Sequence, residues 1–233
     1  MSENAPQVDV DLGSVDFNIV YEGGELVPGL ITEGVPWDIK EAQPGTIEFQ
    51  RRGRYRGVVL DAGCGLADNA AYLAQQGYKV AAFDASSTAI KLAKERHKGL
   101  DIEFFVGNAT KLTGYENRFD TVLDSALYHV LDADDRALYL EALHRATKPG
   151  AWLNMLVFAH VPGGMPAPMS VPDDVLKKSI ADGGWKITDM TMGSFSGVKS
   201  SMAVFVEKFG VDANPDDRNQ IHVPTWLIEA ERV

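Results

Sequence analysis

Two carboxylates, Asp61 and Asp84, stand 23 positions apart, each closing a short apolar run and each followed by small residues. The first opens Asp61-Ala62-Gly63-Cys64-Gly65 and the second precedes Ala85. Glycine permits a tight turn and lets backbone approach a ligand closely, and a strand-end carboxylate accepts hydrogen bonds from a cationic group or from ribose hydroxyls. A nicotinamide dinucleotide fits poorly, because position 68 is Asp where the third glycine of its phosphate loop would stand. Two carboxylates near a diphosphate are unfavourable, whereas one suits an amino-acid amine. The plainer reading of both Asp residues is a turn or helix cap.

Further along, Asp124 and Ser125 follow a third apolar run, and Tyr128 and His129 come just after it. A neutral imidazole takes a proton from a phenol or thiol near physiological pH, which makes His129 the base candidate. Leu127, Val130 and Leu131 surround it, so a core histidine is the competing reading. Ser125 serves equally as a cap. Tyr128, Tyr21 and Trp37 read either as an aromatic wall that orients a planar compound or as packing. His160 and His222 are outlying candidates for substrate contact, without metal-ligand spacing, and no metal is expected. Met165, Met169, Met190, Met192 and Met202 suit an adaptable apolar pocket or ordinary gap filling.

These side chains need strands and helices to bring them together. Val58–Leu60, Lys79–Phe83, Ile102–Val106, Thr121–Leu123 and Trp152–Phe158 read as buried strands. Helical patterns over Ala67–Gln76, Ser87–Lys98 and Asp134–Thr147 alternate with them. Alternation of this kind predicts parallel βαβ units in a doubly wound sheet covered on both faces. After Phe158, His160–Pro168 holds five Gly or Pro in nine positions and reads as a loop. A helix over Pro172–Ala181 and strands over Trp185–Met190 and Thr225–Glu231 follow, with a helix over Val198–Phe209 and the polar Asp212–Asn219 connection between those strands. The division expected is an N-terminal cap over residues 1–56, loose in its first dozen and turning at Pro28-Gly29, and a main domain over 57–233 with a lid insertion over 193–224.

The chain has 233 residues, 45% hydrophobic, enough for one substantial core. Its net charge of -11 disfavours nucleic acid and anionic membranes as partners. The local run Arg51, Arg52, Arg54 and Arg56 reads as a solvated turn, with a small-anion seat as the alternative. Cys64 is the single cysteine, which excludes an intrachain disulfide and a cysteine-based metal cluster. No apolar window is long enough for a membrane span and residues 1–16 do not resemble a signal peptide, so a cytoplasmic protein is expected. Monomer and homodimer are both compatible with the sequence.

Val59–Gly65 resembles the first glycine-loop motif of class I S-adenosylmethionine-dependent methyltransferases. Phe83-Asp84-Ala85 resembles the ribose-binding motif of that family, Val106–Ala109 its adenine-side segment, Phe119–Ser125 its fourth-strand motif, and Lys148–Ala151 its lead into strand five. Val35–Asp38 with Gln43-Pro44 is similar to the N-terminal segment of its small-molecule (thiopurine, thiol, halide and quinone) branch. The resemblance runs over roughly residues 37–233 in the family's motif order. It implies a mostly parallel seven-stranded Rossmann-like sheet with helices on both faces and S-adenosyl-L-methionine as cofactor. By the same resemblance Gly63 and Gly65 contact the methionine moiety, Asp84 and Ala85 the ribose side, Asn108 and Ala109 the adenine edge, while Trp37 stands near cofactor or substrate. Asp61 and Asp124 complete the expected cofactor set. Two departures stand out: Ala67 replaces the loop's usual third glycine, and Asn108 replaces a frequent acidic residue.

The activity this implies is O-methylation of a small aromatic or quinone-like hydroxyl, with His129, Ser125 and Tyr128 as the residues acting on the acceptor. Thiol or halide methylation is the alternative within the enzyme class, and a non-catalytic cofactor-binding protein the alternative outside it.

Overall fold

The computed structural model describes residues 15–26, 32–212 and 215–233. The first dozen residues, Pro28-Gly29 and positions 213–214 of the Asp212–Asn219 connection lie outside the described residues.

Five parallel strands form the body: β1 (Val58–Ala62), β2 (Lys79–Asp84), β3 (Ile102–Val106), β4 (Phe119–Ser125) and β5 (Thr147–Phe158). The last two, β6 (Trp185–Val198) and β7 (Gln220–Arg232), add antiparallel, giving the order β3-β2-β1-β4-β5-β7-β6. This is the doubly wound, mostly parallel seven-stranded sheet that the resemblance implies. The strand order reverses between β1 and β4, and the carboxyl ends of strands flanking such a reversal leave a crevice for a ligand.

Alternate residues of each strand face opposite layers. Leu60, Phe83, Val122 and Leu153 pack with α5 (Ala133–Ala146), α6 (Asp173–Asp182) and the fully buried Trp185. Val59, Val80, Leu123 and Leu156 pack instead with α3 (Asp68–Gln75), α4 (Ser87–Arg96) and Phe49 of α2 (Pro44–Arg51). Burial on both faces explains why these strands are continuously apolar rather than alternating. Each fully buried Leu or Phe contributes about 1.5–3 kcal/mol.

A third apolar cluster lies over the carboxyl ends. It joins Val20 of α1 (Phe17–Tyr21) and Leu26 to Met165, Met169, Met202 and Phe205, the last two on α7 (Lys199–Phe209). Asp16 caps α1 by accepting the Asn18 amide at 2.9 Å.

The late strands run farther than the sequence indicates. β6 continues past Met190 to Val198 and β7 begins at Gln220, with unbroken pairing between Val198 and Gln220, so the excursion from the sheet is Lys199–Asn219 rather than 193–224. Gly193 and Ser194 do not end the strand because its partner supplies the hydrogen bonds on that side. α2 is absent from the sequence reading: its Ile47 is exposed, which leaves Phe49 alone to mark a buried face, although Pro44 stands at a favoured first-turn position. The arginine run is not an anion seat. Arg51 and Arg52 pair with Glu48, Arg52 and Arg54 with Glu229, and the Arg56 guanidinium lies 4.0 Å from the centre of the Trp152 ring. Among the described residues no helix is long and apolar enough to cross a membrane.

Candidate active site

β1 ends in a loop whose backbone turns left-handed at Gly63 (φ 69°), Gly65 (φ 53°) and Ala67 (φ 65°). A Cβ on Gly65 would stand 2.6 Å from the Tyr21 hydroxyl, so this position needs glycine twice over. Ala67 adopts the same hand without that freedom, at a cost on the order of 1 kcal/mol. The loop is bound to the neighbouring strand end: the Cys64 amide donates to the Phe83 carbonyl at 2.8 Å and the Gly65 amide to Asp84 Oδ2 at 2.9 Å. Asp84 Oδ1 accepts the Ser86 amide at 2.8 Å. Burial raises the Asp84 pKa, and the amides of Ser86, Gly65 and Ala85 oppose the rise.

The loop floors a cavity of about 450 Å³ that opens on the β1–β4 crevice. Gly63, Gly65, Asp84, Ala85, Asn108, Ala109, Ser125, His129 and Trp37 all line it, so the structure brings together nine of the twelve site residues expected from sequence. Asn108 Oδ1 is engaged locally, accepting the Thr110 amide at 2.9 Å and its hydroxyl at 2.7 Å, while the side-chain NH2 has no partner among the described residues. Phe83 forms the cavity end of a stacked series that continues through Phe105 and Tyr115.

Asp61, Asp124 and Tyr128 lie apart from these nine. None lines the cavity, and all three are fully buried. Asp61 points under α3, where neither carboxylate oxygen has a hydrogen-bond partner among the described residues. Burial pushes its pKa up to about 7; the Ala70 amide, short of hydrogen-bonding geometry, opposes this, and Asp124, Asp84 and Asp68 add to it. Asp124 closes the turn after β4, accepting from the amides of Leu127 (2.9 Å) and Tyr128 (3.1 Å) and from the Tyr139 hydroxyl (2.9 Å). Tyr128 packs inward and donates to Ser179 Oγ at 2.7 Å. The outlying candidates also turn away: His160 bonds Ser170, His222 bonds Ser196 and Asp216, and Met192 is exposed.

His129 is on the wall. Burial, with the Arg136 guanidinium adding to it, pushes its pKa down to about 3, so the ring is neutral and a very weak proton acceptor at neutral pH. Ser125 Oγ is buried without a partner among the described residues.

Above this floor the wall becomes apolar. Met165, Met169 and Met202 line it with Phe158, Phe195 and Phe205, and the N-terminal segment adds Phe17, Leu26 and Trp37. Trp37 Nε1 donates to the Tyr21 hydroxyl at 3.1 Å, which seats that aromatic pair directly over Gly65. The segment is fastened at both ends. Asn18 Oδ1 accepts the Ser86 hydroxyl at 2.9 Å, and Gln43 exchanges two hydrogen bonds with the Ser196 backbone at 2.8 and 2.9 Å. Sequence reasoning did not single out Phe158, Phe195 or Phe205, and named Gln43 only with Pro44 in the family-like N-terminal segment, without a structural role. Their only signal was membership of apolar runs or a Gln-Pro step, which burial patterns alone do not distinguish from core.

The residues present fit S-adenosylmethionine. Gly65 leaves no room for a side chain where the loop meets the cap, Asp84 faces the cavity with both oxygens oriented by amides, and the Ser125 hydroxyl waits unpartnered beside them. Carboxylates crowded at the strand ends favour a ligand that carries positive charge.

Known proteins agree with this architecture. Residues 59–150 match the family model for a methyltransferase domain. The chain is 33% identical over 225 residues to the 2-heptyl-1-hydroxyquinolin-4(1H)-one methyltransferase of Mycobacteroides abscessus, an alignment covering 93% of this chain and 96% of that one. A structure solved in work on the conversion of a disulfide bond into a thioacetal group during echinomycin biosynthesis superposes with a TM-score of 0.76 at 32% identity, covering 93% of this chain and 90% of the other. The 1,6-didemethyltoxoflavin-N1-methyltransferase of Burkholderia thailandensis shares the fold, with a TM-score of 0.58 at 20% identity, covering 82% of this chain and 77% of that one. With the glycine loop, the paired strand ends and these relatives in place, the chain belongs to the class I S-adenosylmethionine-dependent methyltransferases that act on small molecules.

Proposed function

We propose that this enzyme O-methylates a small planar heteroaromatic or quinone-like compound bearing a hydroxyl. The observation that carries the reading is the continuity of the strand-end seat with a chamber walled by Met165, Met169, Met202, Phe158, Phe195 and Phe205. Thioether and aromatic side chains pack against flat apolar rings and adapt to their outline. The relative from Mycobacteroides abscessus, named for a hydroxyquinolone, supports the same class.

Bound in this seat, S-adenosylmethionine supplies an electrophilic methyl group. The chain's own residues do the rest. Asp84 would hold the ribose hydroxyls, the Gly63–Gly65 backbone would lie against the methionine portion, and Ala85, Asn108 and Ala109 would border the adenine. Ser125 Oγ, on the last residue of β4, offers a hydrogen bond where the two halves of the cavity meet. Trp37 and Tyr21 cover the loop, and the methionine-lined chamber excludes water and holds the acceptor in line with the methyl group.

Sulfur methylation is the second reading, favoured by the similarity to the protein from the thioacetal study. One experiment separates them: incubation with methyl-labelled cofactor and a panel of hydroxyquinolones, hydroxyquinones, phenols and thiols, with products identified by mass spectrometry. Label on oxygen of the ring compounds is expected. Label on thiols alone moves the assignment to sulfur, and no transfer to any ring compound or thiol defeats both.

A further inference from the structure

His129 sits at a place where the sheet is unfinished. In the parallel β4–β5 ladder Ser125 pairs with Leu156, and the Ala126 amide donates to the Leu156 carbonyl at 3.1 Å. Two residues on, Phe158 presents its amide to the same side, but the chain after β4 has turned away through Ala126, whose φ is 76°. His129 Nδ1 fills the gap, accepting the Phe158 amide at 3.4 Å, and its ring stacks on Phe158 with centroids 4.1 Å apart. A neutral imidazole that accepts at one nitrogen carries its proton on the other, so Nδ1 acceptance fixes the Nε2–H tautomer. Nε2 has no protein partner among the described residues, and His129 borders the acceptor chamber beside Phe158.

We propose that His129 is a fixed hydrogen-bond donor to the acceptor through Nε2–H, and that the site thereby selects rings whose hydroxyl is acidic and conjugated to a second oxygen, entering as the delocalised anion. This inference rests on the O-methylation reading and specifies its substrate class. The anion leaves its proton in bulk water before entering. Its oxygen forms the new bond to the methyl carbon, the carbon–sulfur bond breaks, and the electron pair stays on sulfur as the thioether. An anion and a sulfonium become two neutral products, and no group in the cavity handles a proton. Nε2–H meets the second oxygen, leaving the attacking one free.

The other polar groups on the wall support this division. Asp84 is held by backbone amides, Asp38 and Asp68 by Arg96, and Glu41 by Arg218. The charged side chain that faces His129 is Arg136, whose guanidinium donates to the carbonyls of Tyr128 and His129. Of the titratable groups on the elements that carry Phe158, Met165 and Met169, Lys148 pairs with Asp120 and His160 bonds Ser170. Asp135 is the lining carboxylate that has neither an ion pair nor a hydrogen bond accepted by its side chain among the described residues, and it is the rival base.

The test uses the full chain with S-adenosylhomocysteine bound. Long-range proton–nitrogen correlation of nitrogen-labelled histidine is expected to show His129 as the Nε2–H tautomer, unchanged from about pH 5 to about pH 9. Kinetically, His129→Gln, which retains a donor, is expected to keep kcat/KM within about fivefold for a hydroxyquinolone, and His129→Phe to lose about thirtyfold or more. Phenols of graded acidity are expected to react in the order of their ionised fraction, in wild type and His129→Gln alike. A ring that titrates near neutrality, equal loss in Gln and Phe variants, or abolition of activity by Asp135→Asn overturns the proposal. Failure of the wild type to methylate any hydroxylated ring overturns the parent reading and this inference with it, whereas a titrating imidazolium overturns this inference alone.

Discussion

Asp84 and Asp61 end adjacent strands yet do different work. Asp84 orients the glycine loop and lines the cavity, so Asp84→Ala is expected to weaken S-adenosylhomocysteine binding by about tenfold or more, read by calorimetry, while costing about 1–3 kcal/mol of stability through the two orphaned amides. Asp61 is buried behind the loop with its pKa raised to about 7 against an ordinary value of about 4. The folded state therefore disfavours the ionised form, and stability is lost as pH rises from about 4 through about 7. Asp61→Asn removes that penalty. Its melting temperature is expected to come close to wild type near pH 4 and to exceed it near pH 8, by an effect worth on the order of 4 kcal/mol or less. A constant difference across that range counts against the assignment. Both aspartates were visible in the sequence as strand-end residues. Which of them reaches the ligand was not, because that depends on the sheet face and on the helix covering it.

At the level of elements, the glycine loop and the N-terminal cap are fitted to each other. Gly65→Ala places a Cβ in a left-handed residue and against the Tyr21 hydroxyl, and is expected to cost about 2 kcal/mol and about tenfold in cofactor affinity. Adding Tyr21→Phe removes the opposing oxygen and is expected to restore part of that affinity; no recovery places the defect in the loop alone. Ala67→Gly, at the other left-handed position, is expected to raise stability by up to about 1 kcal/mol in denaturant titration. The parallel core was legible because strands buried on both faces are continuously apolar and end at Asp or Gly. The β6–β7 hairpin was read short because Met192-Gly193-Ser194 lacks strand character, and only its ladder with β7 holds it extended. Ala67 was legible as a departure from the family's loop, but its backbone hand required the structure.

Over the whole molecule, the cavity is closed by two segments distant in sequence. The strap ahead of α2 is joined to the β6 end by Gln43 with Ser196 and by the Val198 amide with the Pro36 carbonyl at 2.8 Å, and to the approach to β7 by Glu41 with Arg218 at 2.6 Å. Gln43→Ala leaves the buried Ser196 amide and carbonyl without their partners, at about 2–4 kcal/mol. Hydrogen exchange is expected to quicken over residues 32–43 and 196–201 while β1 and β4 stay protected; uniform loss of protection argues that the strap is part of the core. The acceptor chamber was the least legible feature. It is assembled from α1, the strap, the loop after β5 and α7, of which only the strap carries motif residues, Val35–Asp38 with Gln43-Pro44, and Met165, Met169 and Met202 read in sequence equally as an adaptable pocket or as gap filling.

In the proposed function a nucleoside cofactor and a planar acceptor share one cavity at the β1–β4 crevice. A crystal structure of the chain with S-adenosylhomocysteine and a hydroxyquinolone tests it most directly. The expected result places the ribose hydroxyls on Asp84 and the quinolone ring among Met165, Met169 and Met202, with a ring oxygen within hydrogen-bonding distance of His129 Nε2. A nucleoside bound away from Asp84, or a ring lodged outside the methionine-lined chamber, contradicts the account.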